Sequence, residues 1–316
     1  MTEIELPSPT PLPRGHRRRM KRERTNKVLG FIGATCIGLG LLILAFAIFQ
    51  FFGTGLITKG RQAKLHDQLA QELHHAHITT TPHAVGPPRT VPVETQPALG
   101  QPIAEISIPK IHIDFTVLQG TGDVQLEAGP GHYIGTPMPG QLGNVAIAGH
   151  RTTWLRPFWN LNELSPGDDI YLTTTQGYFR YRVSKQFVVA PTDVSVLDQT
   201  SNATLTLSTC NPRFSATQRL IVQAVLSGTW LPSDGSPSTT TPVATTTTNS
   251  TPQFVSSGSA LPAVLWGIVC AAIGVAAWWC VRRFRRWWIY LVAAPLFLIA
   301  LFYFFLTISR LLPPSL

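Results

Sequence analysis

Cysteine is scarce in this chain, and what little there is sits mostly in apolar surroundings. Of 316 residues four are cysteine. Cys36, Cys270 and Cys280 fall inside strongly apolar runs, which leaves Cys210 alone in polar sequence. A single thiol cannot close a disulfide within its own domain, and an unpaired one outside the cell is a candidate for reactivity. No Cys/His spacing of the zinc-binding kind occurs, so no metal is expected. Charge is thin as well, with Asp, Glu, Lys and Arg making up 13% of residues. The glycine-dense stretch Gly120 to Gly140 is not followed by Gly-Lys-Ser/Thr, and strands do not alternate with long helices. A nucleotide loop is thereby excluded, and no cofactor is expected.

Where charge is missing altogether, the runs are long enough to matter. Val28 to Phe52 carries none, and Leu261 to Val281 and Trp287 to Ile308 are similarly apolar. Each meets the roughly 20 residues needed to cross a bilayer. The first run is too long for a cleavable signal peptide and shows no small-residue cleavage site. Eight basic against three acidic residues precede the first run, a net +5, and Arg282, Arg283, Arg285 and Arg286 lie between the last two. The positive-inside rule then puts the tail and the arginine turn in the cytoplasm, and everything between spans one and two outside. No aromatic interleaving or binding fold accompanies the basic tail, so nucleic acid is not an expected partner.

The expected organisation follows. Residues 1–27 form a basic cytoplasmic tail, 28–52 the first span, and 53–102 a stalk and Pro/Thr-rich linker. Residues 103–230 form an extracellular domain and 231–260 a Thr/Ser/Pro-rich tether containing the formal sequon Asn249-Ser-Thr251. Residues 261–281 and 287–308 are spans two and three, joined by the basic turn 282–286, and 309–316 form the tail. In the stalk Leu65, Leu69 and Leu73 give helical character, and His66, His74, His75 and His77 read as a solvated face.

The outer domain is a series of short strands bounded by turn residues. Ile103 to Ile108, Ile111 to Val117, Val145 to Ala148, Ile170 to Thr174 and Tyr178 to Val189 alternate or run apolar in the manner of strands. His112 alternates out of the core. Trp154 to Leu164 suggests a short helix carrying Phe158, Trp159, Leu161 and Leu164 inward. Asp193 to Asn202 is a loop. Close turn signals throughout indicate a mainly β barrel or sandwich.

Cys210 ends the strand Thr204 to Thr209, just before Asn211-Pro212, and Arg219 opens the next. His150 stands past the end of the apolar strand Val145 to Ala148. Nucleophilic cysteine chemistry needs a histidine to manage the thiol proton and a donor for the oxyanion, and His150 and Arg219 are the candidates. Arginine suits that task because it cannot lose its proton.

These motifs resemble those of the sortases, cysteine transpeptidases of Gram-positive cell surfaces. Ala148-Gly-His150 looks like the family's histidine motif, Thr206-Leu-Ser-Thr-Cys210 matches its Thr-Leu-x-Thr-Cys signature, and Arg219 matches its arginine. Gly129-Pro-Gly-His-Tyr133 and His150-Arg-Thr-Thr153, with spans on both sides, look most similar to class E sortases of actinobacteria. The resemblance implies a closed eight-stranded β-barrel with short helices, flanked by transmembrane helices. It implies Cys210, His150 and Arg219 as catalytic residues and Thr209 and Thr206 as substrate-binding ones. It also implies an exported protein with an LPxTG- or LAxTG-like C-terminal motif as substrate and a peptidoglycan-precursor amine as acceptor. Thr79 to Pro102 lacks the Asp-Pro-aromatic lid of pilus-building members, and Asp168, Asp169 and Asp193 do not amount to a calcium site. A hydrolytic cysteine peptidase on the same scaffold and a non-catalytic surface module are the competing readings.

Overall fold

A computed structural model describes residues 14–78, 84–232, 260–286, 288–309 and 311, with the side chains of 14–28 and of Phe31 left aside. The first 13 residues of the basic tail, the tether 233–259 with Asn249, and the last residues 312–316 lie outside the described residues. The chain divides into two units, Met1–Phe49 and Gln50–Leu316. In the first, α1 runs over Arg14–Ile48. The second holds α2 (Thr54–His75), an eight-stranded domain, and the C-terminal helices α4 (Leu261–Phe284) and α5 (Ile289–Ser309). Among the described residues three helical segments are long and apolar enough to cross a membrane: Ile32–His75, Leu261–Phe284 and Ile289–Ser309. The last two pack together, with Trp266 stacked on Tyr303 at 4.8 Å between centroids.

The strands are β1 (Pro102–Ile108), β2 (Ile113–Gln119), β3 (Gly131–His132), β4 (Asn144–Ala148), β5 (Asp169–Thr174), β6 (Gly177–Val189), β7 (Thr204–Asn211) and β8 (Gln218–Trp230). They close into a barrel in the order β1-β2-β3-β4-β7-β8-β6-β5. Closure leaves no open edge. The expected closed eight-stranded barrel is therefore the observed one. Most neighbours are antiparallel, but β4 runs parallel to β7, pairing Ala148 with Ser208. That parallel pair sets the C-terminal ends of both strands side by side. Alternation sends Leu205 and Leu207 of β7 and Leu220, Val222 and Ala224 of β8 into the core. Thr206, Ser208 and Cys210 leave by the opposite face.

Two segments differ from their expected form. The stretch read as a stalk is laid along the barrel: Leu65 packs with Leu118 and Ala128, and Leu69 and Leu73 with Ile78 and Trp230. Thr58 donates to the Glu127 carbonyl at 2.8 Å, and Gln62 exchanges hydrogen bonds with the backbone of Thr116. The linker that follows also touches the barrel, Gly86 bridging to Thr229. Trp154 to Leu164 is not a helix. Trp154, Leu155 and Arg156 have φ of 53°, 63° and 50°, which no right-handed helix accommodates, and only Leu161–Glu163 make a 3-10 turn. Phe158, Leu161 and Leu164 do enter the core, whereas Trp159 stays half-buried.

Candidate active site

Cys210 on β7 and Arg219 on β8 are cross-strand partners. Residues directly opposite in an antiparallel pair project from the same face with Cβ atoms within a few ångströms. The thiol and the guanidinium are therefore neighbours by register alone. Arg219 is steadied by its own turn, donating from Nη1 to the carbonyls of Ala216 at 3.0 Å and Gln218 at 3.2 Å. The parallel partner β4 ends beside Cys210, and His150 follows two residues beyond Ala148.

The backbone around His150 is fixed from three sides. Gly149 N–H donates to the Ser208 carbonyl at 3.1 Å, Phe158 N–H donates to the His150 carbonyl at 3.1 Å, and Thr209 Oγ1 donates to the Gly149 carbonyl at 2.7 Å. Glycine is required at 149: a Cβ there would sit 2.7 Å from the Phe158 ring. A larger residue would push the ring or the histidine loop out of place.

Electrostatics give the resting protonation states. Burial lowers His150 to about 4, with Asp123 of the short helix α3 (Asp123–Leu126) pulling it back up. Burial pushes the Cys210 thiol up, opposed first by Arg219 and then by Arg151. At neutral pH the site thus holds a neutral imidazole and a protonated thiol. Such a pair makes a thiolate only by passing the proton to the imidazole. Arg151 adds structure to charge: its Nη1 donates to the Cys210 carbonyl at 3.0 Å and to Asn211 Oδ1 at 2.7 Å, and its Nη2 to Asn162 Oδ1 at 2.9 Å. Tyr133 joins the same face, hydrogen-bonded to Ser208 and close enough to Arg219 and Cys210 to feel both.

The sortase-domain family profile matches residues 106–227, which take in most of the barrel and all of these residues. Sortase D of Bacillus subtilis is 30% identical over 179 residues, covering 56% of this chain and 86% of its own. The chain belongs to the sortase family. Sortase SrtE1 of Streptomyces coelicolor is 30% identical over 207 residues, 60% of this chain, and the match spans 55% of that relative's length. A solved Clostridium perfringens sortase D5 transpeptidase aligns with 54% of this chain and 99% of its own at 29% identity, with a TM-score of 0.43. The expected likeness to class E sortases is met by the Streptomyces relative.

The sortase barrel brings Cys210, Arg219 and the His150 loop to one end, as read from sequence. It does not bring Thr206 there. Thr206 is fully buried and accepts from Gln223 while donating to Asn144 Oδ1 at 2.7 Å. With its hydroxyl engaged in the wall, it braces β7 against β4 and β8 and has no free surface for substrate. Thr209 is adjacent to the thiol but spends its hydroxyl on Gly149, so its part is to hold the histidine loop. Sequence reasoning missed Arg151, Tyr133 and Asp123. The first two lie inside the motifs Gly129 to Tyr133 and His150 to Thr153, and their membership of those motifs is the signal that points to them. Among the described residues no group of three or more His, Cys, Asp or Glu could hold a metal.

Proposed function

We propose that this chain is a membrane-tethered transpeptidase that joins exported proteins to an amine of a cell-wall precursor. The observation that carries the proposal is the Cys210–Arg219 register pair at the strand ends beside the fixed His150 loop. Cys210 Sγ attacks the carbonyl carbon of a Thr-Gly bond in an LPxTG- or LAxTG-like motif while His150 takes the thiol proton. The tetrahedral oxyanion draws on the guanidinium of Arg219, a fixed charge in a site shielded from water. As the C–N bond breaks, the imidazolium returns that proton to the departing amine, leaving a thioester on Cys210. An incoming amine then attacks the thioester, His150 accepts its proton, and the thiol is restored. Thr209 and Arg151 keep the histidine loop and the Cys210 strand end in place, and Tyr133 lies where the motif would approach. The N-terminal tail and the turn 282–286 lie in the cytoplasm and the barrel outside, following the charge asymmetry of the sequence.

The test uses peptides ending in Leu-Pro-x-Thr-Gly or Leu-Ala-x-Thr-Gly with a soluble amine, read by mass spectrometry. A Cys210-dependent amide between the peptide's Thr and the amine is the expected product. Release of free acid with every amine offered would support the hydrolytic peptidase instead, and no turnover from folded protein would support a binding module.

A further inference from the structure

Next to the thiol lies a cationic corner of which the proposed chemistry uses only Arg151, as a brace for the Cys210 strand end. Arg151 and Arg213 both donate from Nη2 to Asn162 Oδ1, at 2.9 and 3.2 Å. Arg213 also stacks on Trp159 at 4.4 Å from its centroid, and Arg156 approaches the same ring at 4.9 Å. Among the described residues no carboxylate pairs with any of these three arginines. Arg151 is only 6% exposed, and its Nε and that of Arg213 are buried without a hydrogen-bond partner. Three guanidiniums gathered with no counter-charge, two carrying idle buried donors, form an anion site by chemistry. The backbone here is also constrained: Trp154, Leu155, Arg156 and Phe214 all have positive φ. Such constraint persists where the surroundings enforce it.

The chain indicates where the anion comes from. Phe214, 49% exposed, meets Trp159 edge-on at 5.9 Å and Phe51 edge-on at 6.1 Å. Phe51 belongs to the run between Lys27 and Lys59 that contains no charged residue. The aromatic end of the patch thus includes a residue from the last positions of an apolar run, and the ends of such runs are where aromatic rings and arginines meet lipid headgroups.

We propose that Arg156, Arg213 and Trp159 bind the phosphate of an anionic phospholipid headgroup, with Phe214 and Phe51 at the acyl boundary. This rests on the proposed membrane placement but not on the transpeptidase chemistry. Docked so, the mouth of the site lies against the bilayer surface, and substrates or acceptors held in the membrane reach Cys210 without leaving it.

The test uses the full chain in nanodiscs of phosphatidylcholine alone or with about a third phosphatidylglycerol, and reads phenylglyoxal modification residue by residue by mass spectrometry. Arg180 and Arg182 on β6 serve as internal references. At about one headgroup's attraction per arginine, modification of Arg156 and Arg213 should slow about five-fold in the anionic discs relative to the references. Equal rates in both discs would overturn the proposal. Equal protection by inorganic phosphate in phosphatidylcholine discs would reassign the corner to a soluble anion. Failure of the chain to insert into discs would remove the membrane placement itself, while sorting-peptide turnover in detergent would still judge the transpeptidase reading.

Discussion

Acidification is expected to weaken the barrel through two histidines that folding buries in the neutral form. His132 is fully buried, with Nδ1 at 2.9 Å from Gln119 Oε1 and Nε2 at 2.9 Å from the Pro137 carbonyl. Burial lowers it to about 4, the Pro137 carbonyl pulling the other way without prevailing, and His150 is lowered to about 4 by the same cause. A base whose folded pKa lies below its unfolded value makes the unfolded chain bind more protons, so stability is full above the unfolded pKa and falls between there and the folded one. With an unfolded pKa near 6.5, each ring forfeits about 2 kcal/mol at pH 5, about 4 kcal/mol together. That is a large share of the ~5–15 kcal/mol that holds a domain folded. Glu105 and Glu94, whose carboxyls burial raises, shift the background in the opposite sense. The decisive quantity is therefore a difference between proteins. Denaturant unfolding of a fragment covering α2 and the barrel would be followed from about pH 7.5 to about pH 5 for the wild type and for His132→Gln, whose amide cannot titrate. The variant should lose about 2 kcal/mol less than the wild type over that span. Identical losses, or a wild type that gains stability relative to the variant on acidification, would refute the argument and mean that the ring's acceptors outweigh its burial.

Three further outcomes are expected. Leu69→Ala or Leu73→Ala, each at a residue 1% exposed on α2, should cost about 2–5 kcal/mol of fragment stability in the same unfolding assay; a loss near zero would mean that the helix does not dock in solution. Arg219→Lys should lower kcat/KM for transfer about ten-fold or more with little change in stability, because one ammonium cannot reproduce the guanidinium's fork of donors; wild-type rates would remove Arg219 from the mechanism. Thr209→Val should destabilise by about 1 kcal/mol and reduce kcat, since the Gly149 carbonyl loses its 2.7 Å donor beside His150; unchanged kinetics would show that the histidine loop is held without it.

The strands and the meeting of Cys210, Arg219 and the His150 loop at one end of the barrel could be read from the sequence because their signals are local. Alternation places Cys210 at a strand end whichever barrel surrounds it, and Gly149-His150 marks the end of its neighbour. The parts that could not be read depend on distant partners. Leu65, Leu69 and Leu73 make a stripe that fits a free helix as well as a docked one until Leu118, Ala128 and Trp230 are brought against it. Arg151 gains its place through Asn162, the Cys210 carbonyl and Asn211, 11, 59 and 60 positions away in sequence. Thr206 shows the converse: a signature threonine looks available on paper, yet alternation from Cys210 carries it into a wall already supplied with Asn144 and Gln223. Trp154 to Leu164 misled because its apolar spacing fits a helix, while three successive left-handed residues turn the chain instead.

The chemistry proposed for this site passes through a thioester at one sulfur. The most direct measurement incubates the full chain with a Leu-Ala-x-Thr-Gly peptide and no added amine, quenches in acid, and maps the acylated residue by mass spectrometry. The peptide's acyl part, ending at Thr, is expected on Cys210 alone, removable by hydroxylamine and absent from His150→Ala. An acyl group on any other residue, or none from folded protein with any of the motifs, would contradict it.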